Sequence, residues 1–129
     1  MIDFEYVLDA SAVLCLLNDE PGADQVKAVL SRSRLSAVNF IEIVSKLVDN
    51  GLDDEEIRSD LTALNIRIVD LDRQQAEQAG LMRAATRSRG LSLGDRACLA
   101  LAARTNSIAL TGDRAWVGLA LEARVELFR

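Results

Sequence analysis

The chain has 129 residues, half of them apolar, with one proline and a net charge of −5; this excludes a disordered polar chain and fits a single domain, 1–129, burying about two-thirds of its unfolded surface. There is no histidine, which excludes Ser-His and Cys-His nucleophilic dyads and leaves too few ligands for a Cys/His zinc site. No apolar stretch approaches the roughly 18 residues of a spanning helix, and the acidic start MIDFEY does not resemble a secretory signal, so the expectation is a cytoplasmic protein with no membrane association.

Phe4 to Leu8 reads as a short buried strand and Ala10 to Asn18 as an almost wholly apolar helix, stopped by Pro21-Gly22. A second helix is expected over Ala23 to Arg32, with Val26, Val29 and Leu30 on one face, and a very short strand over Arg34 to Ala37. Val38 to Val48 is helical in pattern, and Asn50-Gly51 ends it. Asp53 and Asp54 open a further helix to about Leu64, with acidic residues at the dipole-favoured end. Ile66 to Leu71 (IRIVDL) is β-rich, Arg73 to Arg89 reads as one long helix ending at Gly90, and Leu93 to Thr105 as another. Ser107 to Leu110 is a strand, Arg114 to Leu119 a turn or two of helix, and Val125 to Phe128 a last strand. Strands alternating with helices imply parallel pairing and a three-layer α/β domain.

Charge is unevenly spread. Residues 1–79 carry 7 basic and 16 acidic side chains (−9), and residues 80–129 carry 8 and 4 (+4). All the basic residues of the second part are arginine, among them Arg83, Arg87, Arg89 and Arg96. Arginine reads phosphate through a planar fork, yet the same surplus also suits a solvated face. Cys15 and Cys98 are far apart, each in an apolar helical context, and read as buried free thiols.

In an open parallel sheet, functional side chains collect beyond the carboxyl ends of the strands. Asp9 directly follows the first strand, and Asp113 follows the SIAL strand within three residues. Taken singly, each acid has a structural explanation. Asp9 can cap the helix beginning at Ala10, with Ser11 in reach of either the helix end or a carboxylate. Ser92 and Asp95 fit a capping box; against that, Gly94 in a helix's first turn suggests a close approach to the backbone. Asp113 suits a turn or cap after Gly112, next to the short hydroxyl of Thr111. On a helical wheel Phe40, Ile41, Val44, Leu47 and Val48 share a face. Glu42 falls opposite with Asn39, Lys46 and Asp49, as a solvated glutamate placed to pair with Lys46.

Together these segments resemble the PIN-domain family of metal-dependent ribonucleases, in particular the VapC-type toxins of bacterial toxin–antitoxin pairs. The resemblance spans the chain and rests on VLDASA at Val7–Ala12, NFIE at Asn39–Glu42, LSLGDRACLA at Leu91–Ala100 and LTGD at Leu110–Asp113. It implies a three-layer α/β/α sandwich around a five-stranded parallel sheet in the order 3-2-1-4-5. By the same resemblance Asp9, Glu42, Asp95 and Asp113 are the catalytic quartet. Asp9 and Asp95 would be the main metal ligands, Asp113 a direct or water-mediated ligand, and Glu42 the holder of a metal-bound water or second metal. Ser11, Asn39 and Thr111 would support them, and Arg96 would contact RNA phosphate. A small antitoxin partner and a homodimer are implied as well.

The chemistry is consistent with that assignment. Two carboxylates about 5 Å apart repel by roughly 3 kcal/mol at an effective dielectric near 20, so a pocket of them calls for a divalent cation. Oxygen ligands without histidine or thiolate suit Mg2+ or Mn2+. Such an ion can activate water for hydrolysis of an RNA phosphodiester. Two other functions compete. A receiver-type signalling domain also gathers acids round magnesium but needs a late lysine, and the only lysines here are Lys27 and Lys46. A PIN-like binding module without catalysis is the other.

Overall fold

The computed structural model describes residues 3–119 and 121–129; the first two residues of the MIDFEY start lie outside them. Five short strands form one sheet: β1 (Tyr6–Leu8), β2 (Ser33–Ser36), β3 (Arg67–Val69), β4 (Ile108–Thr111) and β5 (Arg124–Leu127). All pairings are parallel and the order is β3-β2-β1-β4-β5, as expected. The helices are α1 (Ala10–Leu17), α2 (Ala23–Val29), α3 (Ala37–Asp49), α4 (Asp54–Leu64), α5 (Arg73–Leu81), α6 (Arg83–Thr86) and α7 (Leu93–Arg104). Single 3-10 turns cover Leu30–Arg32, Arg87–Arg89 and Arg114–Trp116. No helix among the described residues is long and apolar enough to cross a membrane.

Alternation along the strands divides the core in two. Leu8, Leu35 and Leu110 point to the layer containing α1 to α4, where they meet Val13, Val26, Ile43 and Ile57. Val7 and Ala109 point the other way, toward Ala79, Cys98, Leu99 and Trp116 of the α5–α7 layer. Both cysteines are buried and free. Burial on both faces explains why β1 is continuously apolar and why α7 carries so many small residues.

Two expectations need correction. The stretch Arg73–Arg89 is not one helix: α5 ends at Leu81, α6 follows after Met82, and a 3-10 turn leads to Gly90. Thr86 is fully buried, and its hydroxyl donates to the Met82 carbonyl at 2.8 Å beside the backbone bond from Thr86 N. Such back-bonding to the preceding turn bends a helix. The second correction concerns α3. Its buried line is Asn39, Ile43 and Leu47, whereas Ile41 and Val48 are 64% and 52% exposed. The apolar face read from the wheel is therefore rotated, because α3 packs against α7 as well as against the sheet.

Candidate functional site

The site lies at the carboxyl edge of the central strands. Register pairs Leu8 of β1 with Leu110 of β4, so the next residues outward, Asp9 and Thr111, emerge side by side. Thr111 Oγ1 donates to Asp9 Oδ2 at 2.5 Å, and Ser11 Oγ lies 2.7 and 2.9 Å from the two carboxylate oxygens. Ala12 N donates to Oδ1 at 2.8 Å. Asp9 thus caps α1, and it also faces the other acids. It is only 4% exposed. Burial raises its carboxyl to about 6; the bonds from Thr111, Ser11 and Ala12 oppose that rise, and the charge of Asp95 adds to it.

A consequence follows for stability. The ordinary carboxyl value is 3.8 and the folded value about 6, so above pH 6 both states are charged and the full burial penalty falls on the fold. As pH drops through the window from about 6 to 3.8, the folded state takes up its proton first and gains stability. Urea unfolding of metal-free protein at pH 5.5 and 7.5 is expected to show about 1 kcal/mol greater stability at the lower pH. The increment should vanish in Asp9→Asn; an increment that persists there would rule out Asp9 as its source.

Glu42 and Asp95 come from α3 and α7. Glu42 is exposed, as the wheel suggested, but among the described ion pairs there is none with Lys46. Its Oε1 instead accepts from Asn39 Nδ2 at 2.8 Å. Asn39 is not on a solvated face at all: it is 1% exposed, and the same nitrogen donates to the Gly94 carbonyl at 3.0 Å. The Glu42 carboxylate rests against the first turn of α7, and a Cβ on Gly94 would lie 2.5 Å from Glu42 Cδ and Oε2. Both readings of LSLGDR therefore hold. Ser92 and Asp95 form the capping box, with Ser92 N donating to Asp95 Oδ2 at 2.9 Å, and the glycine admits a neighbour. Asp95 Oδ1 takes no part in the cap.

Asp113 stands apart from this group. It is exposed and caps the 3-10 turn through Ala115 N at 2.9 Å. Its backbone is tied in, with Asp113 N donating to Thr111 Oγ1 at 3.0 Å and Gly112 N to Ser11 Oγ at 3.1 Å. The Phe128 ring packs where a Cβ on Gly112 would be, 2.8 Å from the ring, which sets the height of this loop.

The buried Cys98 thiol registers the convergence from below. Burial pushes its pKa well up, and Asp9, Asp95 and Glu42 each push further. Its place one helical turn past Asp95 is the sequence signal for this residue, which the motifs by themselves do not single out. Asp9, Glu42 and Asp95 are thus each near enough to Cys98 for their charge to be felt there, and Asp113 is exposed. As they stand, no three such groups among the described residues are close enough to hold a metal ion. The donor set nonetheless fits a hard cation. It is all oxygen, the thiol beneath is held protonated, and Gly94 leaves the Glu42 carboxylate a seat beside Asp95.

Arg96, expected at RNA phosphate, is instead engaged within the fold, where Nη1 donates to the Ala79 carbonyl at 3.0 Å and Nε is buried without a partner. Other members of the arginine surplus are also engaged. Arg89 binds the Ala115 and Val117 carbonyls, Arg104 binds Gln74, Arg124 the Asn106 carbonyl, and Arg129 pairs with Glu20. Arg83, Arg87 and Arg114 are exposed.

Comparison with known proteins agrees with this architecture. No curated protein matches the chain significantly in sequence. Among solved structures, a chain of DNA-bound VapBC from Salmonella typhimurium superposes with a TM-score of 0.77 at 17% identity, covering 98% of this chain and 99% of the other. FitAcB from Neisseria gonorrhoeae gives 0.67 at 20% identity over 93% and 95%. VapC20 of Mycobacterium tuberculosis, described as a Sarcin-Ricin loop cleaving toxin, gives 0.69 at 17% identity over 93% and 99%. At such identities these likenesses establish the fold. The family is established separately, because the PIN domain family model matches residues 6–120: this chain belongs to the PIN-domain family.

Proposed function

We propose that this protein is a divalent-metal-dependent endoribonuclease, the toxin of a toxin–antitoxin pair, acting in the cytoplasm. One observation carries the reading: a buried carboxylate, Asp9, is kept at the sheet edge with Asp95 raising its proton affinity and no cationic side chain among the groups that shift it. The cap on α1 accounts for one oxygen of Asp9, but a cap needs no second acid nearby, so the added like charge is a cost that the fold alone does not explain. Mg2+ or Mn2+, when bound, supplies the neutralising charge, lowers the pKa of an attacking water and stabilises charge on the phosphate.

The chain's own residues do the positioning. Thr111 and Ser11 fix the plane of the Asp9 carboxylate from two sides. Ser92 holds Asp95 by one oxygen and leaves the other for ligation. Asn39 holds Glu42 over the same turn of α7, and Asp113 is exposed. Asp9, Asp95, Glu42 and Asp113 would hold the ion directly or through water.

RNA as substrate is supported by the PIN-domain match and by the RNA-cleaving description of VapC20. An antitoxin partner is supported by the likeness to VapBC and FitAcB complexes. Exposed Ile41, Leu81 and Leu93 are compatible with a homodimer. The dispersed carboxylates favour a second reading, a PIN-like binding module without catalysis, and one experiment separates the two. Purified protein is expected to cleave RNA with added Mn2+ or Mg2+, to stop in EDTA, and to resume when the metal is restored. Cleavage indifferent to EDTA would overturn the metal-dependent mechanism. No cleavage of total cellular RNA with either metal would leave the binding module.

A further inference from the structure

Asn39 is buried yet satisfies little of the fold. Its carboxamide spends both N–H bonds on one side, 2.8 Å to Glu42 Oε1 and 3.0 Å to the Gly94 carbonyl, while Oδ1 is buried with no partner. The orientation is chemically determined. Both partners are acceptors, so turning the amide over would set oxygen against carboxylate and carbonyl at once. Nor does the Gly94 carbonyl need this bond, since within α7 it already faces the amide four residues on. A side chain serving packing alone would be apolar here, between Ile43 and the α7 backbone. What the carboxamide alone provides is a link between two helices that ends on a flexible glutamate.

Resting on the nuclease reading above, we propose that Asn39 is the positioning residue of the site: its carboxamide fixes the Glu42 carboxylate onto the Gly94 turn of α7, beside Asp95. Glu42 is exposed and has three side-chain torsions to lose. The Asn39 bond restricts them without any ion, so that Glu42 of α3 would be held on the same turn of α7 as Asp95 for an ion to bind. Residues that hold a ligand in this way typically contribute about ten- to a hundredfold in metal affinity.

The test is Mn2+ binding to the intact chain, without RNA, by calorimetry or electron paramagnetic resonance, together with thermal melting of the metal-free protein. Asn39→Ala is expected to bind Mn2+ about tenfold more weakly with little change in melting. Asn39→Asp preserves the volume but replaces the donor with a charge facing Glu42, and should be at least as weak. In a Glu42→Ala background, which removes the acceptor, Asn39→Ala should add no further loss of affinity, because it acts through Glu42. Unchanged affinity in Asn39→Ala, or losses that simply add in the double variant, would overturn the proposal while leaving the nuclease reading intact. A wild-type chain that neither binds Mn2+ nor cleaves RNA would overturn both.

Discussion

Asp9→Asn is expected to lower RNA cleavage about a thousandfold or more while raising the melting temperature of the metal-free protein. The two effects have one origin. Asparagine is as good a helix N-cap as aspartate, so its oxygen can keep the bond from Ala12 N that Asp9 accepts at 2.8 Å. What disappears is a buried charge. With a folded pKa of about 6 against an ordinary 3.8, the charged form is disfavoured by up to about 3 kcal/mol at neutral pH. Part of that gain is returned, because Thr111 Oγ1 already accepts from Asp113 N and would have to accept from the new amide as well. A rise of a few degrees in melting temperature remains the expectation for a domain of this size.

Cleavage moves the opposite way because a neutral amide is a poor ligand for a hard cation. Charge stabilisation by the ion is worth several kcal/mol in the transition state, and each 1.36 kcal/mol is about tenfold in rate. Added Mn2+ should stabilise the wild type by mass action and leave Asp9→Asn nearly unmoved. Differential scanning fluorimetry with and without Mn2+, beside an RNA cleavage assay, reads all three quantities. If Asp9→Asn melted lower and cleaved normally, Asp9 would be a helix cap and nothing more.

Gly94→Ala is expected to separate stability from activity in a second way. The backbone of Gly94 is ordinary helix, and alanine there is worth up to about 1 kcal/mol over glycine. The atoms the new methyl would meet belong to the exposed end of Glu42, which can swing away for the loss of one hydrogen bond from Asn39. The variant should therefore fold with equal or slightly greater stability. It should cleave RNA about ten- to a hundredfold more slowly, because Glu42 has lost its place beside Asp95. Retained cleavage would mean that Glu42 works from its displaced position and that the seat on α7 is incidental. Reduced cleavage with a lower melting temperature would point instead to disruption of the Ser92–Asp95 cap.

Much of this molecule is legible in the order of its residues. Each strand can be read within about two residues at either end, because alternating turn signals and short apolar runs leave few alternatives. The PIN-domain identity is carried by four short motifs in order, and the sheet order comes with it. Asp9 and Asp95 each announce two roles in sequence, a cap and a place at a strand or helix end, and both carboxylates do cap helices in the structure.

What the sequence alone determined is thus the class of fold, a candidate set of acids and the absence of histidine. Tertiary structure decided where those acids stand relative to one another. Periodicity describes one helix against one flat partner, but α3 meets the sheet and α7 together, so its buried line runs through Asn39 rather than along the apolar wheel face. The same packing places Glu42 on Gly94, 52 residues further along the chain, and draws Arg96 inward to the Ala79 carbonyl. A side chain's hydrogen-bond partners across helices depend on distances that no spacing in the sequence encodes. For that reason Glu42 reads as a solvated residue by periodicity and enters the candidate site in sequence only through the NFIE resemblance, while the fold is what seats it on α7.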